Sequence, residues 1–330
     1  MRICVFGAGA VGGLIATRFA QAGHDVGVVA RGAHLDAIRA GGLTLRVDGA
    51  GDVGPVRVAA SGSPADLGRQ DVVLVTLKGY ALPSVAAGVA PLLGPDTVVV
   101  FLQNGVPWWY PRRAPARLPA PPDLGFLDPG GALERAVGLE RVLGGIVYPS
   151  AEQPAPGVVR HVVSSRDDIL VGEIDDRDTP RLAALRAVLA EAGFPSPVVP
   201  DLRHAAWNKL LVNASVSTLC CLAGHPMNIL DRDPGLRDLA RRALAEVLSV
   251  ATSAGMAFDL DPAAMFAPER RFGPHRPSIL QDFQRGRPLE IDALLTAPRA
   301  FAHAAGVPTP VLDSIAALLA RKVADRDGGA

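Results

Sequence analysis

Apolar residues fall into two regimes along this chain. Up to about residue 200 they come in short runs rich in valine, isoleucine and leucine: RICVF, HDVGVV, DVVLVTLK and DTVVVFLQ, then RVLGGIVYPSA, GVVRHVV and DDILVGE. Unbroken runs of that length are what strands need when a parallel sheet is covered on both faces. Between them lie helical stretches such as LIATRFAQAG and TPRLAALRAVLAEAG. The segment GGLTLRVDGAGDVGPVRVAA alternates around turn glycines and predicts a hairpin. From residue 202 the strand signal disappears. Helical spacing takes over at 203–223, 234–254 and 290–305. The pattern predicts an α/β domain over residues 1–201, an all-α C-terminal domain over residues 202–330, and a cleft between them.

The first strand runs directly into GAGAVGG, residues 7–13, and a helix follows. Gly7, Gly9 and Gly12 satisfy G-x-G-x-x-G. Gly7 permits the tight turn, Gly9 lets the backbone approach a pyrophosphate, and Gly12 allows close helix–strand packing. Ala8, Ala10 and Val11 complete a loop that places helix N-terminal N–H groups against an anion. Strand before, helix after and a second strand roughly 20 residues on are the context this motif requires. The first domain is therefore expected to be a Rossmann-type dinucleotide-binding domain. Where an NAD site places an acid after the second strand, this chain has Ala30 and Arg31, with no acid before Asp36. A guanidinium suits a ribose 2′-phosphate, so the expected cofactor is NADP(H). Lys78 and Asn104 close two further strands, at the edge where open α/β sheets bind ligands.

The helix around WNKLLVNAS, residues 207–215, is apolar on most sides, yet Lys209, Asn213 and Ser217 interrupt it at steps of four. They share one face. Two readings stand for Lys209: a side chain that snorkels to water, or a functional ammonium. Residues 107–131 are dense in proline and carry Trp108, Trp109 and Tyr110. Those rings are costly to expose, so the segment is expected to fold over the site or against a partner subunit, which a homodimer would supply.

Composition narrows the class. The chain has 330 residues, 33 basic and 33 acidic, with 49% hydrophobic content. No basic stripe marks a nucleic-acid partner. No uninterrupted apolar run of about 18 residues predicts a membrane span, and glycines break the apolar N-terminus that superficially resembles a signal peptide. A cytoplasmic protein is expected. Cys4, Cys220 and Cys221 sit in apolar runs without metal spacing, so neither a disulfide framework nor a metal site is expected.

Taken in order, GAGAVGG with Arg31, VTLK, QNG, WNKLLVN and SILQDFQRGRPLEID resemble the ketopantoate reductase family, the NADPH-dependent 2-dehydropantoate 2-reductases and their paralogues. The resemblance covers nearly the whole chain. It implies that Lys209 protonates the substrate carbonyl while NADPH delivers hydride, and that Glu290 holds Lys209 and hydrogen-bonds the substrate and cofactor. It further implies that Asn213 and Ser278 bind substrate, and that Asn104 and Lys78 line the nicotinamide end. Hydride addition to a 2-keto acid builds charge on the ketone oxygen, and a nearby ammonium both stabilises and protonates it. With the resemblance included, the catalytic reading of Lys209 outweighs the snorkelling one.

Two positions depart from the pattern. Ser217 stands four residues past Asn213, and His275 three before Ser278, where the family often has asparagines. Both are expected to contact the substrate's carboxylate or far end, so a paralogue acting on another 2-keto acid stays open. A non-catalytic NADPH-binding regulatory module would not need Lys209 and Glu290 together. A β-hydroxyacid or glycerol-phosphate dehydrogenase would leave SILQDFQRGRPLEID unexplained.

Overall fold

The computed structural model describes residues 1–164 and 166–328. Its contacts divide the chain into two compact units, 1–103 with 128–202, and 104–127 with 203–330.

The first unit is built on a seven-stranded sheet. Its strands are β1 (Arg2–Phe6), β2 (Asp25–Val29), β5 (Ala59–Ser61), β6 (Val72–Val75), β7 (Val98–Leu102), β8 (Val142–Val147) and β11 (Ile169–Glu173). Their spatial order is β11-β8-β7-β6-β1-β2-β5, parallel except for β11. This is the doubly wound order in which the chain reverses direction beside β1. The helices of this unit are α1 (Ala10–Gln21), α2 (Gly32–Gly41), α3 (Pro83–Gly88), α4 (Ala132–Val137) and α5 (Pro180–Glu191).

The hairpin expected after α2 forms as β3 (Leu43–Val47) and β4 (Gly51–Val56), and β9 (Ser150–Ala155) and β10 (Val158–Val162) join it. The result is a separate four-stranded sheet, β4-β3-β10-β9, with β3 and β10 parallel. It packs on α1, whose Gly12 through Thr17 are buried without a break. Gly13 makes that approach possible, since a Cβ there would meet Val159 Cγ2 at 2.6 Å.

The second unit is helical: α6 (Leu202–Val212), α7 (Thr218–Ala223), α8 (Pro234–Ser253), α9 (Pro262–Met265), α10 (Ser278–Gln284), α11 (Ala297–Ala305) and α12 (Pro310–Gly328). Leu202 itself packs on Gly172 of the first unit's sheet, and Arg203 opens the second unit. Two expectations change here. The helix read over 203–223 is not continuous, because a π-turn, Asn213–Ser217, separates α6 from α7. A second π-turn, Asp292–Thr296, precedes α11.

The aromatic loop needs no partner subunit to bury it. Trp108, Trp109 and Tyr110 are all within 3% of full burial, and Tyr110 belongs to the core of the helical unit. Trp207 Nε1 donates to Tyr110 Oη at 2.9 Å, and both rings meet Phe301 edge-on. Arg203, fully buried, donates to the Tyr110 and Arg112 carbonyls at 2.9 and 2.8 Å. A proline-rich strap leaves main-chain carbonyls without helical or sheet partners, and a buried guanidinium satisfies several at once. No described helix is long and apolar enough to cross a membrane.

Candidate active site

The register of the large sheet fixes the glycine-loop edge of the first unit. Phe6 pairs with Val29 on one side and with Val75 on the other. Three chain segments therefore leave the sheet at one edge: the glycine loop after β1, Ala30–Arg31 after β2, and Thr76–Lys78 after β6. Gly7 adopts φ +110°, and a Cβ there would meet Leu77 Cδ2 at 2.5 Å. A Cβ on Gly12 would fall onto the Gly7 carbonyl and lie 2.5 Å from Thr76 Oγ1. These two glycines are demanded by the fold. Gly9 is not: it is exposed, and a Cβ there would meet nothing within 4 Å. Open space above a helix N-terminus is what a pyrophosphate needs, and the cradle fits a dinucleotide.

The loop's polar groups are sorted by direction. The Gly7 and Ala8 N–H groups both donate inward to Val29 O, at 3.1 and 3.0 Å. The Ala8 N–H therefore serves the fold. Gly9 N–H is spent on Gly7 O at 2.7 Å. The first turn of α1 begins at Ala10, with Val11 and Gly12 next, and no side chain caps it. Those N–H groups lack intrahelical acceptors and are the donors an anion would find. Arg31 is exposed as the residue before α2, and Lys78 is half-buried past β6.

A separate group of candidate residues lies in the helical unit. Trp207 turns into the core, and Lys209, two residues on, is half-buried. One turn later the ladder widens into the first π-turn. Ser215 Oγ donates to Leu211 O, and Thr218 Oγ1 to Ala214 O at 2.6 Å. Hydroxyls that claim the carbonyls four residues back favour such a bulge, and π-bulges recur at functional sites. Asn213 opens the turn and Ser217 closes it, with Ser217 Oγ donating to Asn213 Oδ1 at 3.5 Å. Ser217 is buried beneath Asn213.

The second π-turn packs against the first and has a different cause. Pro298, in the first turn of α11, has no N–H for the carbonyls that precede it. The Ala293 carbonyl is satisfied from outside, by Val106 N–H at 2.9 Å. To reach it Gly105 adopts φ +78°, with Ala293 so close that a Cβ would collide with its carbonyl. This wedge sets Asn104 beside Glu290, which is buried just before the π-turn. Asn104 Nδ2 donates to Glu290 Oε2 at 3.5 Å.

Ser278 begins α10, which packs on α7 and on the first π-turn. His275 is exposed, and its carbonyl accepts from Met227 N–H at 2.9 Å. The helical unit thus packs the π-turn bounded by Asn213 and Ser217 against the one that follows Glu290, the partner of Asn104, with Lys209 one turn before Asn213 and α10 alongside. Sequence reasoning missed Thr76, which donates to Gly7 O at 2.7 Å, and His34, which contacts the Ala8 carbonyl at 2.6 Å. Thr76 lies inside VTLK and was within reach; an isolated histidine on a surface helix carried no signal.

Comparison with known proteins follows the same division. The description "Ketopantoate reductase PanE/ApbA" matches residues 3–176, and its C-terminal counterpart matches residues 201–323. A 2-dehydropantoate 2-reductase of Mesorhizobium japonicum is 40% identical over 327 residues, 99% of each chain. The crystal structure of 2-dehydropantoate 2-reductase from Geobacter metallireducens superposes with TM-score 0.83 at 29% identity, covering 97% of this chain and 99% of that one. D-Mandelate dehydrogenase, solved with NADH and anilino(oxo)acetate, superposes with TM-score 0.80 over 99% of this chain and all of its own; at 22% identity it shares the fold. Both halves of the sequence place this protein in the ketopantoate reductase family.

Proposed function

We propose that this protein reduces a 2-keto acid with NADPH, and that the substrate is 2-dehydropantoate, yielding pantoate. The observation that carries the reading is two polar pairs beside the packed π-turns: Asn104 with Glu290, and Ser217 with Asn213, one turn from Lys209. The glycine loop and the first turn of α1 fit the pyrophosphate, and the exposed guanidinium of Arg31 after β2 suits a 2′-phosphate. The bound dinucleotide supplies the hydride. The residues of this chain then carry the rest.

Lys209 points its ammonium at the ketone oxygen, stabilises the charge that hydride addition places there, and passes it one proton. Glu290 holds that ammonium and hydrogen-bonds the nascent hydroxyl. Asn213 and Ser278 bind the substrate's polar groups, with Ser217 and His275 toward its carboxylate or far end. Half-burial keeps water from screening the ammonium.

The test is NADPH oxidation, followed by absorbance, against a panel of 2-keto acids that includes 2-dehydropantoate. A kcat/KM for 2-dehydropantoate at least about tenfold above the others supports the assignment, a gap corresponding to roughly 1.4 kcal/mol of transition-state binding. A higher value for a different keto acid would make this chain a paralogue, as Ser217 and His275 allow. No turnover with any of them, despite tight NADPH binding, would favour a regulatory role.

A further inference from the structure

The carbonyls of the nucleotide loop present a problem for anion binding. The Gly7, Ala8 and Gly9 oxygens each carry partial negative charge beside the place where a pyrophosphate would sit. Two are held by groups already described: Gly7 O accepts from Thr76 Oγ1, and Gly9 O from Gly13 N–H at 2.7 Å. The third, Ala8 O, is held by His34. Its Nε2 lies 2.6 Å away, while Nδ1 lies 3.0 Å from Gly157 N.

These two contacts fix the tautomer. Gly157 N–H is a donor, so Nδ1 must be the bare, accepting nitrogen, and Nε2 must carry the hydrogen it donates to Ala8 O. Burial holds the His34 pKa below its ordinary value, against the raising effect of the Ala8 bond, which favours the neutral ring that this arrangement needs. Gly157 is itself seated closely, at φ +74° with a hypothetical Cβ 3.2 Å from Ala37 Cβ. The imidazole therefore joins three elements: the nucleotide loop, α2 that follows Arg31, and the turn between β9 and β10.

We infer that His34 is a positioning residue for the dinucleotide: it holds the Ala8 carbonyl so that the loop turns no free carbonyl toward the pyrophosphate that the first turn of α1 would bind. The inference rests on the cofactor assignment above. Without the Nε2–H, the Ala8 carbonyl loses its partner, and only the Gly9 N–H bond to Gly7 O still holds its peptide; an unsatisfied carbonyl beside the anion repels it through like partial charges.

Three variants separate this from a packing role: His34→Leu, His34→Gln and His34→Asn. Glutamine keeps a donor near the place of Nε2. Asparagine keeps an acceptor near Nδ1 and offers nothing to Ala8. NADPH affinity is read by fluorescence titration of the purified protein, alongside thermal unfolding and steady-state kinetics. His34→Leu and His34→Asn should weaken NADPH binding and raise its KM about tenfold, the worth of one buried hydrogen bond, with kcat and the keto-acid KM held. His34→Gln should recover most of that affinity.

Unchanged NADPH binding in His34→Leu overturns the inference. So does recovery by asparagine and not glutamine, which would assign the effect to Gly157. A loss of affinity that tracks a drop in melting temperature, with no recovery by glutamine, overturns it as well. A wild-type protein that binds no nicotinamide dinucleotide would instead defeat the cofactor assignment itself, an outcome visible before any variant is compared.

Discussion

Asn104 donates to the carboxylate of Glu290 across 186 positions of sequence, at 3.5 Å. The contact follows from a missing hydrogen: Pro298 leaves the Ala293 carbonyl to Val106, and Gly105 takes a left-handed turn to bring that donor in. Asn104 arrives with it. Substituting Asn104→Ala should raise the keto-acid KM several-fold to about tenfold, the range for one lost hydrogen bond. The melting temperature should stay near wild type, because the Val106–Ala293 bond is untouched. Kinetics and a thermal melt on one preparation check both; an unchanged KM would separate Asn104 from the substrate.

Lys209→Ala should lower kcat by about two to four powers of ten, the usual contribution of a positioned acid and electrostatic group. NADPH affinity should be little changed. Lys209→Arg should not restore turnover, since a guanidinium keeps its charge but does not surrender its proton. Near-normal rates in the alanine variant would return Lys209 to the role of a snorkelling surface residue.

Arg31→Ala should reduce kcat/KM for NADPH by about one to two powers of ten while leaving NADH use almost unaffected, because a 2′-phosphate loses charge-assisted bonds that a 2′-hydroxyl never made. Side-by-side kinetics with both cofactors decide the point. A wild-type enzyme that uses NADH equally well would remove Arg31 from cofactor selection.

The loop glycines predict a split. Gly9→Ala should unfold at the wild-type temperature, since its Cβ meets no protein atom, yet bind NADPH at least about tenfold more weakly, because the methyl occupies the pyrophosphate's approach. Gly12→Ala should lose both stability and binding, its Cβ colliding with the Gly7 carbonyl. Calorimetric melts and titrations on the two variants test it; equal destabilisation by both would contradict the geometry.

Tyr110→Phe removes the acceptor for Trp207 Nε1 and leaves a buried donor unpaired. A cost of about 1–3 kcal/mol is expected, seen as a lower denaturant midpoint with an unchanged slope. Activity well below the new midpoint should remain near wild type.

The parallel strands, the glycine loop and the helical second half were legible in the sequence because each rests on local physics: strand and helix periodicities, and a turn that admits glycine alone. Lys209 stood out for the same reason, as a charge in an apolar helix. What the sequence could not show was which distant groups would complete those local pieces. The small second sheet joins β3 to β10, and the strap 104–127 belongs with the helices because its rings and carbonyls find Trp207, Phe301 and Arg203 there. His34 meets Gly157 from 123 positions away. The two π-turns answer to hydroxyls and a proline whose effect depends on carbonyls that something else must satisfy. A hydrogen-bond donor or acceptor can be counted along a chain, but its partner is chosen only when packing brings one within three ångströms or so, and tertiary structure alone decides that.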